Sequence, residues 1–379
     1  MSIFSNSIGL MRFRIAGELP DNTIDLYEFI KERLSTHAFR SIDDSSAQES
    51  IGWVHINDLA KTDFDNPGVL HVDHYLCFSV RRDYRRVPAA VLKEALDKEY
   101  AAYLERNPKM TRVPKSMRED IKERVSTSLL TRALPTPATY DVIWDTSNGL
   151  LYYFASSSKS VEIFETLFSK TFTEFKLQFI PPFSHAKAAI TDALTANLLA
   201  QSNRATTDAV MDIIKSNMWL GQDFLLWLIF HTSEGWGEDS QLNTWIDNKL
   251  VLCGPTNEGM QKVTVSGPQD QLQTIKAAIK DGKQPVEATI YMQNTDGEEW
   301  KLNLKGETFA ISAFKTPTVK METVDVSDPV SEFQGVLLER IMLIDKGLNY
   351  LNSLLSAFLN VRLVLWDEMQ GKIAEWVQE

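Results

Sequence analysis

The feature that most constrains the fold is a pair of proline-initiated helical patterns set between strand patterns. Pro88 can open a helix, because the N–H it lacks would be unsatisfied in the first turn anyway. Val91, Leu92, Ala95, Leu96, Tyr100 and Tyr103 then form an apolar stripe reaching about Arg106. Asn107-Pro108 breaks the pattern. Pro114 opens a second helix, with Met117, Ile121, Val125 and Leu129 spaced by four. The two predict a helical hairpin. Before it, Ile51–Ile56 and Val69–Val80 are rich in β-formers. After it, Tyr140–Trp144 and Leu150–Ala155 read as strands joined through Asn148-Gly149, a strong hairpin signal.

The flanking segments extend this α+β reading. Gly9–Ala16 alternates as a strand. Asp21 or Asn22 caps a helix to about Ser35, with Ile24, Tyr27, Ile30 and Leu34 on one face. Val161–Phe168 is helical and Lys176–Ile180 is a strand. Pro181-Pro182 then marks a boundary between an N-terminal unit, 1–182, and a C-terminal unit, 183–379. The second unit opens with helical patterns at Ala186–Ala200, Ala205–Ile214 and Met218–Phe230. Strands are expected at Lys249–Cys253, Val263–Val265, Val286–Met292 and Trp300–Leu304, with a helix at Gln269–Ile279. Asp328-Pro329 opens a long terminal helix. In it Leu337, Ile341, Ile344, Leu348, Leu351, Leu355 and Phe358 alternate spacings of four and three, a heptad pattern that serves either an internal core or a self-association seam. The expected fold is α+β: mixed antiparallel sheets with helical hairpin insertions and a long C-terminal helix.

Charge is uneven. The formal net charge is −12 over 379 residues. Residues 191–379 hold 15 Lys/Arg and 26 Asp/Glu, whereas residues 81–132 hold 14 against 8, a local +6. An acidic chain binds nucleic acid only where its cations gather on one surface; otherwise such a segment is a solvated, salt-bridged face. Cys77 and Cys253 read as two buried thiols of a reducing compartment. The longest apolar stretch, Phe224–Phe230, is far short of a membrane span. A cytoplasmic location is expected, with no membrane.

Catalytic signals are weak. Gly254–Gly259 has the glycine spacing of a P-loop, but Met260 and Gln261 stand where Lys and Ser/Thr are needed, so it reads as a turn. His71 and His74, three apart in a strand pattern, fall on opposite faces. His231, Glu234, Glu238 and Asp239 could hold a hard cation, although a solvated acidic loop is the plainer reading. No cofactor, metal or catalytic residue is expected.

The basic segment carries more. Arg81, Arg82, Arg85 and Arg86 follow a strand pattern and repel one another unless anions are close. Lys109 and Arg112 lie in the hairpin connection, while Lys115, Arg118 and Lys122 line one helix face. Guanidinium forks suit phosphate oxygens, and such contacts give affinity without sequence preference.

The order of motifs resembles the bacterial RdgC family of recombination-associated proteins. Gly52-Trp53-Val54 leads to Arg86-Val87-Pro88-Ala89-Ala90-Val91-Leu92. The charged hairpin ends in Leu129-Leu130-Thr131-Arg132-Ala133, and Trp144–Leu150 and Ala155-Ser156-Ser157 follow. Leu220–Leu228 and the terminal helix extend the likeness into the second half. The resemblance implies a non-catalytic homodimer closing into a ring, through which double-stranded DNA passes without sequence preference. It also implies a nucleoid-associated role limiting access of a RecA-type recombinase to DNA. Carried over by position, Arg81, Arg82, Arg85, Arg86, Lys109, Arg112, Lys115, Arg118 and Lys122 are the DNA-facing candidates. Leu129, Leu130, Arg132 and Leu134 are the candidates for a dimer contact. Leu134 stands where some relatives have Phe, and the acidic second half would weaken DNA attraction wherever it lines the hole. Two rival readings are an acidic interaction module that engages a basic partner or mimics DNA, and a metal-dependent enzyme using the His231–Asp239 loop.

Overall fold

A computed structural model describes residues 2–20, 22–45, 47–202, 210–236, 242–257, 259–267, 271–319 and 328–379. The chain runs β1 (Ile8–Ala16), α1 (Thr23–Thr36), β2 (Glu49–Val54), α2 (Pro67–Leu70), β3 (His71–Val72) and β4 (Tyr75–Arg85). The hairpin α3 (Ala89–Arg106) and α4 (Lys115–Arg132) follows, then β5 (Pro135–Asp145), β6 (Leu150–Tyr153), α5 (Ser158–Thr171) and β7 (Lys176–Phe179). Next come α6 (Pro182–Ala189), α7 (Asp192–Gln201), α8 (Val210–Ser216) and α9 (Met218–Glu234). The remainder is β8 (Leu242–Thr256), β9 (Gly259–Val265), α10 (Gln271–Lys280), β10 (Gln284–Asn294), β11 (Glu299–Lys305), β12 (Ile311–Lys315), α11 (Pro329–Arg362) and α12 (Trp366–Gln378). The fold is α+β, as the sequence predicts.

The strands form one antiparallel sheet in the order β2-β4-β5-β6-β1-β12-β11-β10-β8-β9, with β3 added to β4 and β7 to β1. The boundary expected at Pro181-Pro182 falls between β7 and α6. β1 belongs to both sides of it: Met11–Arg14 pair with β6, while Ile8 and Leu10 pair with β12. Alternation along β1 explains how one strand serves two cores. Phe13 and Ile15 face a cluster with α1 and α5, whereas Ile8 and Leu10 face the larger cluster with α9 and α11.

The terminal heptad residues Leu337, Ile341, Ile344, Leu348, Leu351, Leu355 and Phe358 are all buried in this larger core, so their stripe packs internally. Asp328 caps α11 by accepting from the Val330 N–H, with Pro329 in the first turn. Among the described residues no single helix is long and apolar enough to cross a membrane.

Several expectations need correction. β4 runs on through Arg85, so Arg81, Arg82 and Arg85 lie within a strand rather than after one. The expected helix Ala186–Ala200 is two, broken at Ile190-Thr191. Asn22 caps α1, accepting from the Ile24 N–H, and Ile24 itself faces solvent while Leu26, Ile30 and Leu34 are buried. β3 and β4 form a hairpin that puts His74 in the turn, where Asp73 takes a positive φ. β12 has no expected counterpart. Residues 203–209, Glu238, Asp239, Glu258, Gln269 and Asp270 lie outside the described residues.

Candidate nucleic-acid interface

β4 and β5 pair along their whole length, from Tyr75 opposite Asp145 to Arg85 opposite Pro135. Helices α3 and α4 continue beyond the Arg85 end of this ribbon as an arm. The arm has a small core of its own, centred on Val113, Ile121 and Val125 and closed by half-buried Leu92, Leu96, Tyr100, Met117 and Leu129. No residue of α3 is fully buried, which leaves most of the arm's surface to solvent.

The arm's tip is cationic. Residues 106–118 contain Arg106, Lys109, Arg112, Lys115 and Arg118, every third position, and no Asp or Glu. All five are exposed, and none is in an ion pair among the described residues. Arg106 was missed as a site residue; its signal is that unbroken spacing of three. Lys115 and Arg118 sit at the N-terminus of α4, where the first turn carries no acid. Cations there oppose the helix dipole, and a bound anion would relieve the conflict. Lys122 is also exposed, one turn further toward the body among Glu119, Asp120 and Glu123. Elsewhere on the arm Lys98 pairs with Glu94 and Arg124 with Glu99, both at 2.7 Å.

The strand arginines are engaged internally. Arg81 forks onto the buried Asp83 carboxylate at 2.8 and 2.7 Å, donates to the Leu59 carbonyl, and covers the Phe39 ring at 4.3 Å. The hydrogen bond to Asp83 raises the Arg81 pKa above its ordinary value. Arg82 pairs with Glu49 and lies over Tyr84. Arg85 donates to the carbonyls of Thr131 (2.8 Å) and Ala133 (3.0 Å) at the end of α4, and to those of Ile42 (2.7 Å) and Ser45 (3.1 Å) in a body loop. Only Arg86 of the four is exposed. The structure thus gathers Lys109, Arg112, Lys115 and Arg118 at one tip, keeps Arg81 and Arg82 in contacts within the body, and leaves Arg85 at the arm's root.

Of the residues read as a dimer contact, Leu129 packs into the arm's core and Leu130 is half-buried, while Arg132 is exposed. Leu134, at the arm's base, is 86% exposed.

The other sequence candidates take structural places. His231 ends α9 with its ring stacked on Trp236 at 5.3 Å. In the apolar run of α9, Phe224 and the neighbouring Trp227 are buried against Phe358. Gly254–Gly259 lies in the β8–β9 hairpin. Among the described residues no three His, Cys, Asp or Glu side chains gather as a metal site.

An antiparallel α+β body bearing a helical arm with a cationic tip is the class that fold and site define. A family model described as "Putative exonuclease, RdgC" matches residues 9–216. The match covers more than half of the chain, which belongs to the RdgC family. Membership suggests a recombination-associated, DNA-binding role. No curated protein matches the chain.

Proposed function

We propose that the protein binds double-stranded DNA without sequence preference, through the tip of the helical arm, and that it acts without catalysis. The observation that carries this is the tip itself: five exposed cations at 106–118 with no acid among them, on a chain of net charge −12. Phosphate contacts by Lys and Arg release counterions and are indifferent to base sequence. The candidate set is accordingly narrowed to Arg106, Lys109, Arg112, Lys115 and Arg118, with Arg86 and Lys122 beside them.

In this reading two copies join as a homodimer, in part through the apolar base of the arm, where Leu134 is exposed beside half-buried Leu130. The paired arms help to close a ring around the duplex. A ring so placed obstructs a RecA-type filament physically and thereby modulates recombination.

The test is fluorescence anisotropy of a labelled duplex across 50–300 mM salt, approximate limits chosen to resolve the slope. Wild-type affinity should fall steeply with salt and be equal for unrelated sequences. Replacing the five tip cations with Ala should remove most of the binding. A flat salt response, or full affinity in that variant, would refute the arm as the interface. Incubating end-labelled duplex with Mg²⁺ or Mn²⁺ tests the absence of catalysis: progressive shortening that copurifies with the protein would overturn it.

A further inference from the structure

One face of β1 changes character along its length. Ile8 and Leu10 lie in the larger core, and the next residues in that alternation are Arg12 and Arg14. They line a cavity of about 420 Å³ between the sheet and helices α6 and α11. Both guanidiniums lack a protein partner: neither Arg12 nor Arg14 is in an ion pair or side-chain hydrogen bond among the described residues. Burial pulls the pKa of Arg12 down to about 10, with Tyr152 and Asp345 acting in the other direction. Holding that guanidinium charged in place therefore costs free energy, which Asp345 offsets only at a distance, since no carboxylate among the described residues forms an ion pair with it.

Two acids share the cavity, and both are occupied by other donors. Asp145 Oδ1 accepts from the Ser147 hydroxyl at 2.6 Å and from two backbone N–H groups, while Oδ2 accepts from the Asn148 amide at 2.8 Å. Asp345 shares hydrogen bonds with the Tyr152 and Tyr75 hydroxyls. The cavity thus satisfies its acceptors internally and leaves its strongest donors open. That is the arrangement expected of an anion site.

We propose that this cavity binds a small phosphate monoester, with Arg12 and Arg14 holding the phosphoryl oxygens. Two guanidinium forks match a dianion with three terminal oxygens better than they match a carboxylate. A bare ion would leave most of the volume empty, and the space falls in the range that small organic ligands fill. Gln178, Asn349 and Asn352 line the same cavity and supply amide groups for the organic part.

The site is independent of the arm. It lies at the Tyr75–Asp145 end of the β4–β5 ribbon and the arm grows from the Arg85–Pro135 end, ten residues on. That is roughly 30 Å at strand rise.

Calorimetric titration of the full chain with inorganic phosphate, thymidine 5′-monophosphate and thymidine tests the assignment. Phosphate and the nucleotide should bind saturably, with the nucleotide tighter, and thymidine should not bind. Arg14→Gln, at an exposed position, should weaken both ligands at least fivefold, and Arg12→Gln should abolish binding. Neutralising the arm's five cations should leave both affinities unchanged. Absence of saturable binding at millimolar ligand, retained affinity in Arg14→Gln, or loss of binding in the arm variant would overturn the proposal.

Discussion

The Arg85 guanidinium donates to the Thr131 carbonyl at 2.8 Å, across the root of the helical arm. Its other amino group reaches the Ile42 carbonyl at 2.7 Å, so one side chain joins the last turn of α4 to a loop of the body. A cation at a helix C-terminus meets the carbonyls that lack intrahelical partners. The same residue ties the arm's root to the body. Arg85→Lys should loosen it, because a single ammonium cannot serve two groups of carbonyls in opposite directions. We expect a loss of about 1–3 kcal/mol in urea unfolding and faster proteolytic cleavage near 86–88. An unchanged cleavage pattern would show that the arm's root does not depend on this clamp.

Arg81 and Asp83 predict a contrast with the tip. Asp83 is 2% exposed, and its carboxylate is held by the Arg81 fork. Arg81→Ala would leave a buried carboxylate without its counterion, a change that costs about 3–5 kcal/mol in comparable pairs. Duplex affinity of the folded fraction should be unaffected. Chemical denaturation beside anisotropy separates the two effects, and a stable variant with weakened DNA binding would return Arg81 to the interface.

Arg112→Ala should behave in the opposite way. Its side chain is exposed and in no ion pair among the described residues, so stability should change by no more than about 0.5 kcal/mol. The slope of log affinity against log salt should become shallower by about 1, uniformly across sequences. Discrimination among sequences arising in this variant would contradict pure phosphate contact.

What was legible in the sequence was whatever local pattern decides. Pro88 and Pro114 bounded the arm's helices because a proline's missing N–H acts within one turn. The α11 stripe announced its buried face through spacing alone, although only packing could show that the face meets the sheet and not a second chain. The basic segment was visible as charge, but charge does not reveal pairing. Arg81 finds Asp83 two positions away, and Arg85 finds carbonyls more than 40 positions away in both directions. The first contact needs both side chains on one face of a continuous strand, and the second needs the end of α4 and a distant loop brought together, which only the tertiary fold supplies. The partnerless state of Arg12 was hidden for the same reason. β12 is five residues long with a positive φ at Ala313, and carries too little alternation to read.

Gly221 sits where α9 crosses the turn after β11. A Cβ at this position would fall on the Gly306 carbonyl, which belongs to backbone and cannot swing aside. Gly221→Ala should therefore separate α9 from the sheet and cost about 1–3 kcal/mol, at the upper end because the obstacle is backbone. Thermal unfolding checks this. A loss below about 0.5 kcal/mol would mean that the helix can shift without penalty.

His185 predicts how stability depends on acidity. Its ring stacks on Phe309 at 5.8 Å and lines the cavity beside Arg12. Burial, with the Arg12 charge as a second cause, lowers its pKa well below the ordinary 6.5. The unfolded chain therefore takes up a proton near pH 6.5 while the folded protein stays neutral there. Protons bind preferentially to the unfolded state in that window, so the contribution is complete above 6.5 and is lost as pH falls toward the folded value. The slope from one such group is at most about 1.4 kcal/mol per pH unit. His71 and His231 are lowered by burial too, and they add in the same direction. Urea unfolding of the wild type should weaken between pH 7.5 and 5.5, approximate limits that bracket a histidine titration. His185→Gln, polar but not titratable, should show a shallower decline over the same range. Parallel curves would mean that His185 is protonated equally in both states and does not sense burial.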